Sequence, residues 1–177
     1  MKRKVYYLTL SQRFPKGHIK EGQLTLFENA LRKATDGCDG CPEYWKCFGE
    51  KDWCEANHEK RHTIRANYEF WRKRFEKIKR GKAVLSVRKW IGKPYAEGST
   101  QVEIMKLTKD DDIGIQKMTI EGCTTHHQIF IDGIPVSSKE LANNDGLDEA
   151  DWHSWFRGYD VTEPMAVIHF TKFRYSR

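Results

Sequence analysis

The residue types most able to do chemistry together fall in one short stretch, Lys60-Arg61-His62-Thr63-Ile64-Arg65. Read as a strand, it sends Arg61, Thr63 and Arg65 to one face and Lys60, His62 and Ile64 to the other. A hydroxyl then lies between two cations, with an amine nearby at a loop–strand boundary. An amine that loses its charge on burial, or beside other cations, can take the hydroxyl proton and make Thr63 a nucleophile. Without a reaction, the same side chains can contact a phosphate or a base edge. A polar edge strand rich in Lys and Arg is the plainest use of the pattern. His62 is expected to face away from Thr63, as a packed or surface residue rather than a base.

A second group is Cys38-x2-Cys41-x5-Cys47-x6-Cys54. In a cytosolic chain such a set points to metal more than to disulfides. Four thiolates would make a closed tetrahedral zinc site. An iron–sulfur cluster is the alternative, and His58 could replace one ligand. A loop of buried free thiols is the non-metal reading. A structural zinc would explain how a stretch with few aliphatic residues keeps its shape. Cys123 stands alone and is expected in the core. His126, His127 and His153 lack metal-like partners at helical spacing and stay unassigned.

These groups need a scaffold, and 177 residues suffice for one domain with a core and an insert. The expected organisation is a single domain over 1–177 with a Cys-rich excursion at about 36–58. No apolar run approaches membrane-spanning length. Residues 1–10 read as a short basic lead and a first strand rather than a signal peptide, so a cytoplasmic protein is expected. The net charge of +6 suits a nucleic-acid or other anionic partner. The cations concentrate in residues 59–93.

The spacing predicts a strand over 4–10 and a turn at 12–17. It predicts a helix over 25–34, with Thr25 and Glu28 as a capping box. A basic helix over 68–80 carries Tyr68, Trp71, Phe75 and Ile78 at three- and four-residue spacing, and Gly81 ends it. Its cations, Arg72, Lys73, Arg74, Lys77, Lys79 and Arg80, could follow a phosphate backbone. Further strands are expected over 82–90, 100–108, 113–120 and 127–131. Two helices follow, one starting at Ser138 and one capped by Asp148. A long strand over 165–175 closes the chain. Mixed elements without a βαβ rhythm imply an α+β domain around a curved sheet or barrel.

Five blocks in this order resemble the ASCH domain, a PUA-like fold built on a small mixed β-barrel. They are Leu8-Thr9-Leu10-Ser11-Gln12-Arg13-Phe14, then Lys60 to Arg65 as Lys-x-x-Thr-x-Arg, and Gly81 to Val87. Asp145-Gly146-Leu147 before a helix with Trp152 is the fourth, and Ala166 to Phe170 the fifth. The resemblance implies flanking helices around the barrel and a cleft at the Lys60 motif. Small bacterial members are amidohydrolases that deacetylate acetylcytidine. By that likeness Lys60 is the base, Thr63 the nucleophile, and Arg65 the oxyanion or substrate stabiliser. Asp145 stands where those enzymes have Glu, and would protonate the departing amine. The shorter Asp and the Cys-rich excursion are the two departures from the hydrolase pattern. Other members bind RNA.

The leading expectation is binding of RNA, a nucleotide or a modified nucleobase in that cleft. Arg13, Arg61, Trp90, Lys93 and Tyr95 would assist, an aromatic among them stacking on a base. Hydrolysis of an acylated cytidine is the alternative. A non-catalytic protein that docks a partner on the excursion is the third.

Overall fold

The computed structural model describes residues 3–35, 37–123 and 126–176, without the side chains of Lys51, Cys123, His126 and His127. The expected core position of Cys123 and the unassigned His126-His127 pair therefore lie outside the described residues. The elements run β1 (Lys4–Thr9), α1 (Phe27–Thr35), α2 (Tyr44–Cys47), β2 (His62–Arg65), α3 (Tyr68–Lys79), β3 (Ala83–Ile91), β4 (Thr100–Leu107), β5 (Gly114–Cys123), β6 (His126–Ile131), β7 (Ile134–Val136), α4 (Ser138–Asn144), α5 (Glu149–Phe156) and β8 (Met165–His169). The expected mixture of strands and helices is present. Among the described residues no helix is long and apolar enough to cross a membrane.

The strands form two sheets, one ordered β1-β3-β4 and one ordered β2-β8-β5-β6-β7. In β1 the alternation that buries Tyr6 and Leu8 leaves Tyr7 exposed. This strand pairs parallel with β3, from Lys4↔Ala83 to Thr9↔Arg88, and α3 lies on the connection between them. β8 pairs antiparallel with β2 on one side and β5 on the other. Every β8 residue is buried, as a central strand covered on both faces requires. One apolar cluster joins the sheets, with Leu8 and Leu85 from the first and Ile64, Met118 and Val167 from the second. Phe75 and Ile78 of α3 and Trp152 of α5 complete it.

Helix α3 follows its sequence pattern closely. Asn67 caps it by accepting from the Phe70 N–H at 3.0 Å. At the other end the Gly81 N–H donates to Ile78 O and the Lys82 N–H to Lys77 O. Gly81 there takes φ +68°, the left-handed turn that a side chain resists.

Two boundaries differ from expectation. Helix α1 starts at Phe27 because Leu26 has φ 55°. Thr25 accepts from the Phe27 N–H at 3.4 Å and donates to Ser11 O, but Glu28 does not complete a capping box. It pairs instead with Arg32 and Lys89. The last strand ends at His169 rather than 175: the Phe170 N–H still bonds Arg61 O at 2.9 Å, in register, but the Arg61 N–H goes to Asn144 O instead of completing the pair. Tyr175 then returns to the interior, its N–H donating to Gln116 Oε1. The excursion folds into α2 between two single 3-10 turns, Cys38–Gly40 and Lys51–Trp53. It leaves Trp45, Phe48 and Trp53 exposed.

Gly146 links α4 to α5 at φ +79°, and a Cβ there would lie 3.1 Å from the Lys60 Cβ and 3.4 Å from the Ala30 Cβ. Both the dihedral and the space reject a side chain. Gly146→Ala should lower stability by about 1–3 kcal/mol, read as a lower urea midpoint. An unchanged midpoint would contradict this account.

Candidate functional site

Regular strand geometry begins only at His62, which pairs with His169. Before it, each main-chain group bonds to a different element. The Lys60 N–H donates to Ala30 O in α1 at 2.9 Å, and the Arg61 N–H to Asn144 O in α4 at 2.8 Å. Lys60 also forms an isolated bridge with Asp145. The chain therefore bends at Lys60-Arg61, and strict alternation across the motif fails. His62, Thr63 and Ile64 are all buried.

The bend delivers the Lys60 side chain to Asp145, not to Thr63. Lys60 Nζ donates to Asp145 Oδ1 at 2.5 Å and to the Asp145 main-chain oxygen at 2.6 Å. Lys60 is 1 % exposed and Asp145 4 %. The ammonium also lies 3.9 Å from the centre of the Phe27 ring. Among the described residues the buried Thr63 hydroxyl makes no hydrogen bond. Arg65 is pinned by bonds to Ile64 O at 2.9 Å and to Thr9 O at 2.8 Å.

Burial pushes the Lys60 pKa down against the pull of Asp145, and the charge of Arg65 adds to the lowering. Burial pushes the Asp145 pKa up, opposed by Lys60 and Arg65. The two values therefore move towards each other, and a neutral amine beside a neutral acid lies closer in energy to the ion pair than it would in water. Burial also lowers the Arg65 pKa.

Behind this pair is a polar layer that sequence reading missed. His62 Nε2 lies 2.9 Å from the Tyr175 hydroxyl, to which Asn144 Nδ2 also donates at 3.2 Å. His62 Nδ1 is 4.0 Å from Asp145 Oδ1. His62 is packed, as expected, but it neighbours the carboxylate. The His169 ring stands 5.6 Å from that of His62, and neither of its nitrogens has a partner among the described residues. Burial, aided by Arg174, lowers its pKa to about 3. Burial likewise raises that of Tyr175. The one sequence signal for this layer is a His inside the most apolar strand.

The expected binding residues do not gather here. Arg13 donates to Gly22 O on an exposed turn. Arg61 comes nearest, bonded to Glu59 and to Asn144 Oδ1 at 3.3 Å. Trp90 packs on Tyr95 at 5.0 Å, and Tyr95 is 89 % exposed in the loop after β3. Among the described residues no contact links Trp90, Lys93 or Tyr95 to the Lys60 cluster, because β3 runs on beyond the end of β1. The basic face of α3 is partly consumed. Arg72 pairs with Glu69 and Glu76, and Arg74 lies over Phe70 at 3.8 Å.

In the excursion, Cys41 is close enough to Cys47 and Cys54 to feel their charge, and burial raises its pKa. Asn29 Nδ2 donates to Cys41 Sγ at 3.6 Å. His58 is engaged by Asp148 Oδ1 at 2.8 Å. Among the described residues no three His, Cys, Asp or Glu side chains are arranged to hold a metal ion.

A cavity of about 230 Å³ opens beside the site, and Phe27 lines it. Lys60 and Asp145 do not line it. The Phe27 ring is thus shared, touching the buried ammonium and bordering the cavity.

Removing one partner of the buried pair strands the other. Asp145→Ala should cost about 3–5 kcal/mol, and Lys60→Met in the same chain should recover much of it. Equal losses in the single and double variants would contradict the coupling. Acid should also destabilise the fold through the polar layer. His169 takes a proton near pH 6.5 when unfolded and near pH 3 when folded. Its contribution is therefore full above pH 6.5 and lost as pH falls towards 3. It amounts to roughly 5 kcal/mol. The shift of His62 has the same sign. In urea melts from pH 7 to pH 3.5, His169→Phe should flatten the acid limb; an unaltered limb would contradict it. Comparison of the chain with family models, with curated proteins and with solved structures gives no match.

Proposed function

We propose that this chain is an ASCH-like, PUA-related protein that takes a nucleoside or nucleobase in the cavity beside the buried cluster of Lys60, Thr63, Arg65 and Asp145. The observation that carries the reading is the enclosed Lys60–Asp145 contact, with Arg65 in electrostatic range and a ring-lined cavity alongside. A buried ion pair is weak evidence of stabilisation, and perturbed pKa values cluster at functional sites. A cavity of this size suits a single base or nucleoside. The partly consumed basic face of α3 favours such a ligand over a long RNA strand. A PUA-like barrel goes with this reading, and the apolar cluster shared by both sheets supports it.

A second reading, amide hydrolysis of an acylated cytidine, is favoured by the converging pKa values of the pair. Lys60 would pass its proton to Asp145, and the free amine would turn from the Asp145 main-chain oxygen to take the Thr63 proton. Thr63 Oγ1 would add to the acyl carbonyl while Arg65 faces the developing oxyanion. The carbon–nitrogen bond would break as the cytidine amine is protonated. Water would then release the acyl group from Thr63.

Incubation with N4-acetylcytidine separates the readings. Hydrolysis yields cytidine and acetate on chromatography, and Thr63→Ala should abolish it while leaving nucleoside affinity within about threefold. Binding without turnover leaves the first reading alone. Neither binding nor turnover with any nucleoside would sink both.

A further inference from the structure

The cavity of about 230 Å³ beside Phe27 is walled on one side by the body of the protein and on the other by the Cys-rich excursion. From the body come Gln12, Phe27 and Asn29, and from the excursion Glu43, Lys46 and Glu55. Phe27 borders the cavity but is 5 % exposed, its ring covered by the Lys60 ammonium and packed against Trp155. Asn29 is 8 % exposed, and its only side-chain bond among the described residues is the one from Nδ2 to Cys41. Its amide oxygen is left without a partner. The Gln12 side chain makes no hydrogen bond among the described residues. Two amides with spare donors and acceptors can pair with the edge of a base.

The excursion wall has a different chemistry. Lys46 Nζ stands 2.6 Å from Glu43 Oε2 and 3.1 Å from Glu55 Oε1, so one ammonium serves two carboxylates. Glu28, a third lining carboxylate, is held by Arg32 and Lys89. Lys46 is the one cation among the described lining residues, and it is already paired. A phosphate brought here would meet carboxylates and find no free cationic donor. A neutral sugar would meet acceptors suited to its hydroxyls.

We infer that this cavity seats the ligand with the edge of its base on the Gln12 and Asn29 amides and its ribose hydroxyls donating to Glu43 and Glu55. The excursion then selects an uncharged ribonucleoside over the free base, the nucleotide and the RNA strand. The inference rests on the proposed nucleoside reading and adds the residues that set its specificity. It also gives the excursion a role that does not depend on its sulfurs. Asn29, bonded to Cys41, ties the base-reading edge to the ribose-reading wall.

Calorimetric titration of the full chain tests this. Adenosine, guanosine, cytidine, uridine and N4-acetylcytidine are titrated first. The tightest is then compared with its 2′,3′-dideoxy form, its free base and its 5′-monophosphate. The ribonucleoside should bind at least about tenfold tighter than all three. Glu43→Gln with Glu55→Gln should bring it down to the dideoxy level and leave dideoxy binding unchanged. Gln12→Ala, on the exposed side, should weaken every ligand. If ribonucleosides bind equally to the wild type and the double Gln variant, or the monophosphate binds as tightly, the wall assignment falls and the nucleoside reading stands. If no ribonucleoside binds the wild type, both fall.

Discussion

The contact between the Lys60 ammonium and the Asp145 carboxylate organises this structure, because three elements must meet for it to exist. The residues are 85 apart in sequence. Lys60 reaches Asp145 only because its own N–H is held by Ala30 in α1 and the next N–H by Asn144 in α4. Gly146 must be glycine for the chain to pass Lys60 and Ala30 so closely. Phe27, at the first turn of α1, covers the ammonium. An apolar pair of similar volume would hold these elements at least as well, since desolvating two charges costs several kcal/mol per ion. An ion pair kept in such a place is better explained by what it does than by what it stabilises.

The polar layer behind the pair points the same way. His62 and Asn144 both bond the Tyr175 hydroxyl, whereas His62 Nδ1 and both His169 nitrogens are left without hydrogen-bond partners among the described residues. A buried polar atom without a partner costs about 1–3 kcal/mol. His169 pairs in register with His62 on one side and Gly114 on the other, so it cannot leave without breaking the central strand. Burial keeps both imidazoles neutral, and His62 is the one beside Asp145. That keeps further positive charge away from a carboxylate whose pKa burial has already raised. The protonation of the Lys60–Asp145 pair is thereby left to the pair itself and to Arg65.

Local pattern made much of the scaffold legible. The period of Trp71, Phe75 and Ile78, with Gly81 after, places α3 almost to the residue. Alternation places β1 and β3, and the apolar run of residues 165–169 places β8. The reactive stretch was also legible as a set of residue types. What alternation could not supply was the direction of Lys60, because its neighbours bond to residues far along the chain instead of to a strand. The polar layer was hidden for the same reason: Tyr175 meets His62 from 113 residues away. Trp90, Lys93 and Tyr95 looked like part of the cleft because they follow a strand that borders it. The structure carries them past it, on a hairpin that outruns its partner strand.

Net charge was the least informative signal. An excess of +6 invites a nucleic-acid surface, but a cation attracts phosphate only if it is not already held. Arg72 is paired twice, Arg74 lies over aromatic rings, and Lys46 is divided between two carboxylates. The low dielectric that brings the pKa values of Lys60 and Asp145 together is produced by the same burial that shuts both groups away from the cavity. Phe27 is the side chain common to both. Leu26, held at φ 55° immediately before it, is a backbone conformation that a branched side chain adopts only when its surroundings impose it. The strained backbone at Leu26 thus immediately precedes the residue that borders both the cavity and the buried pair.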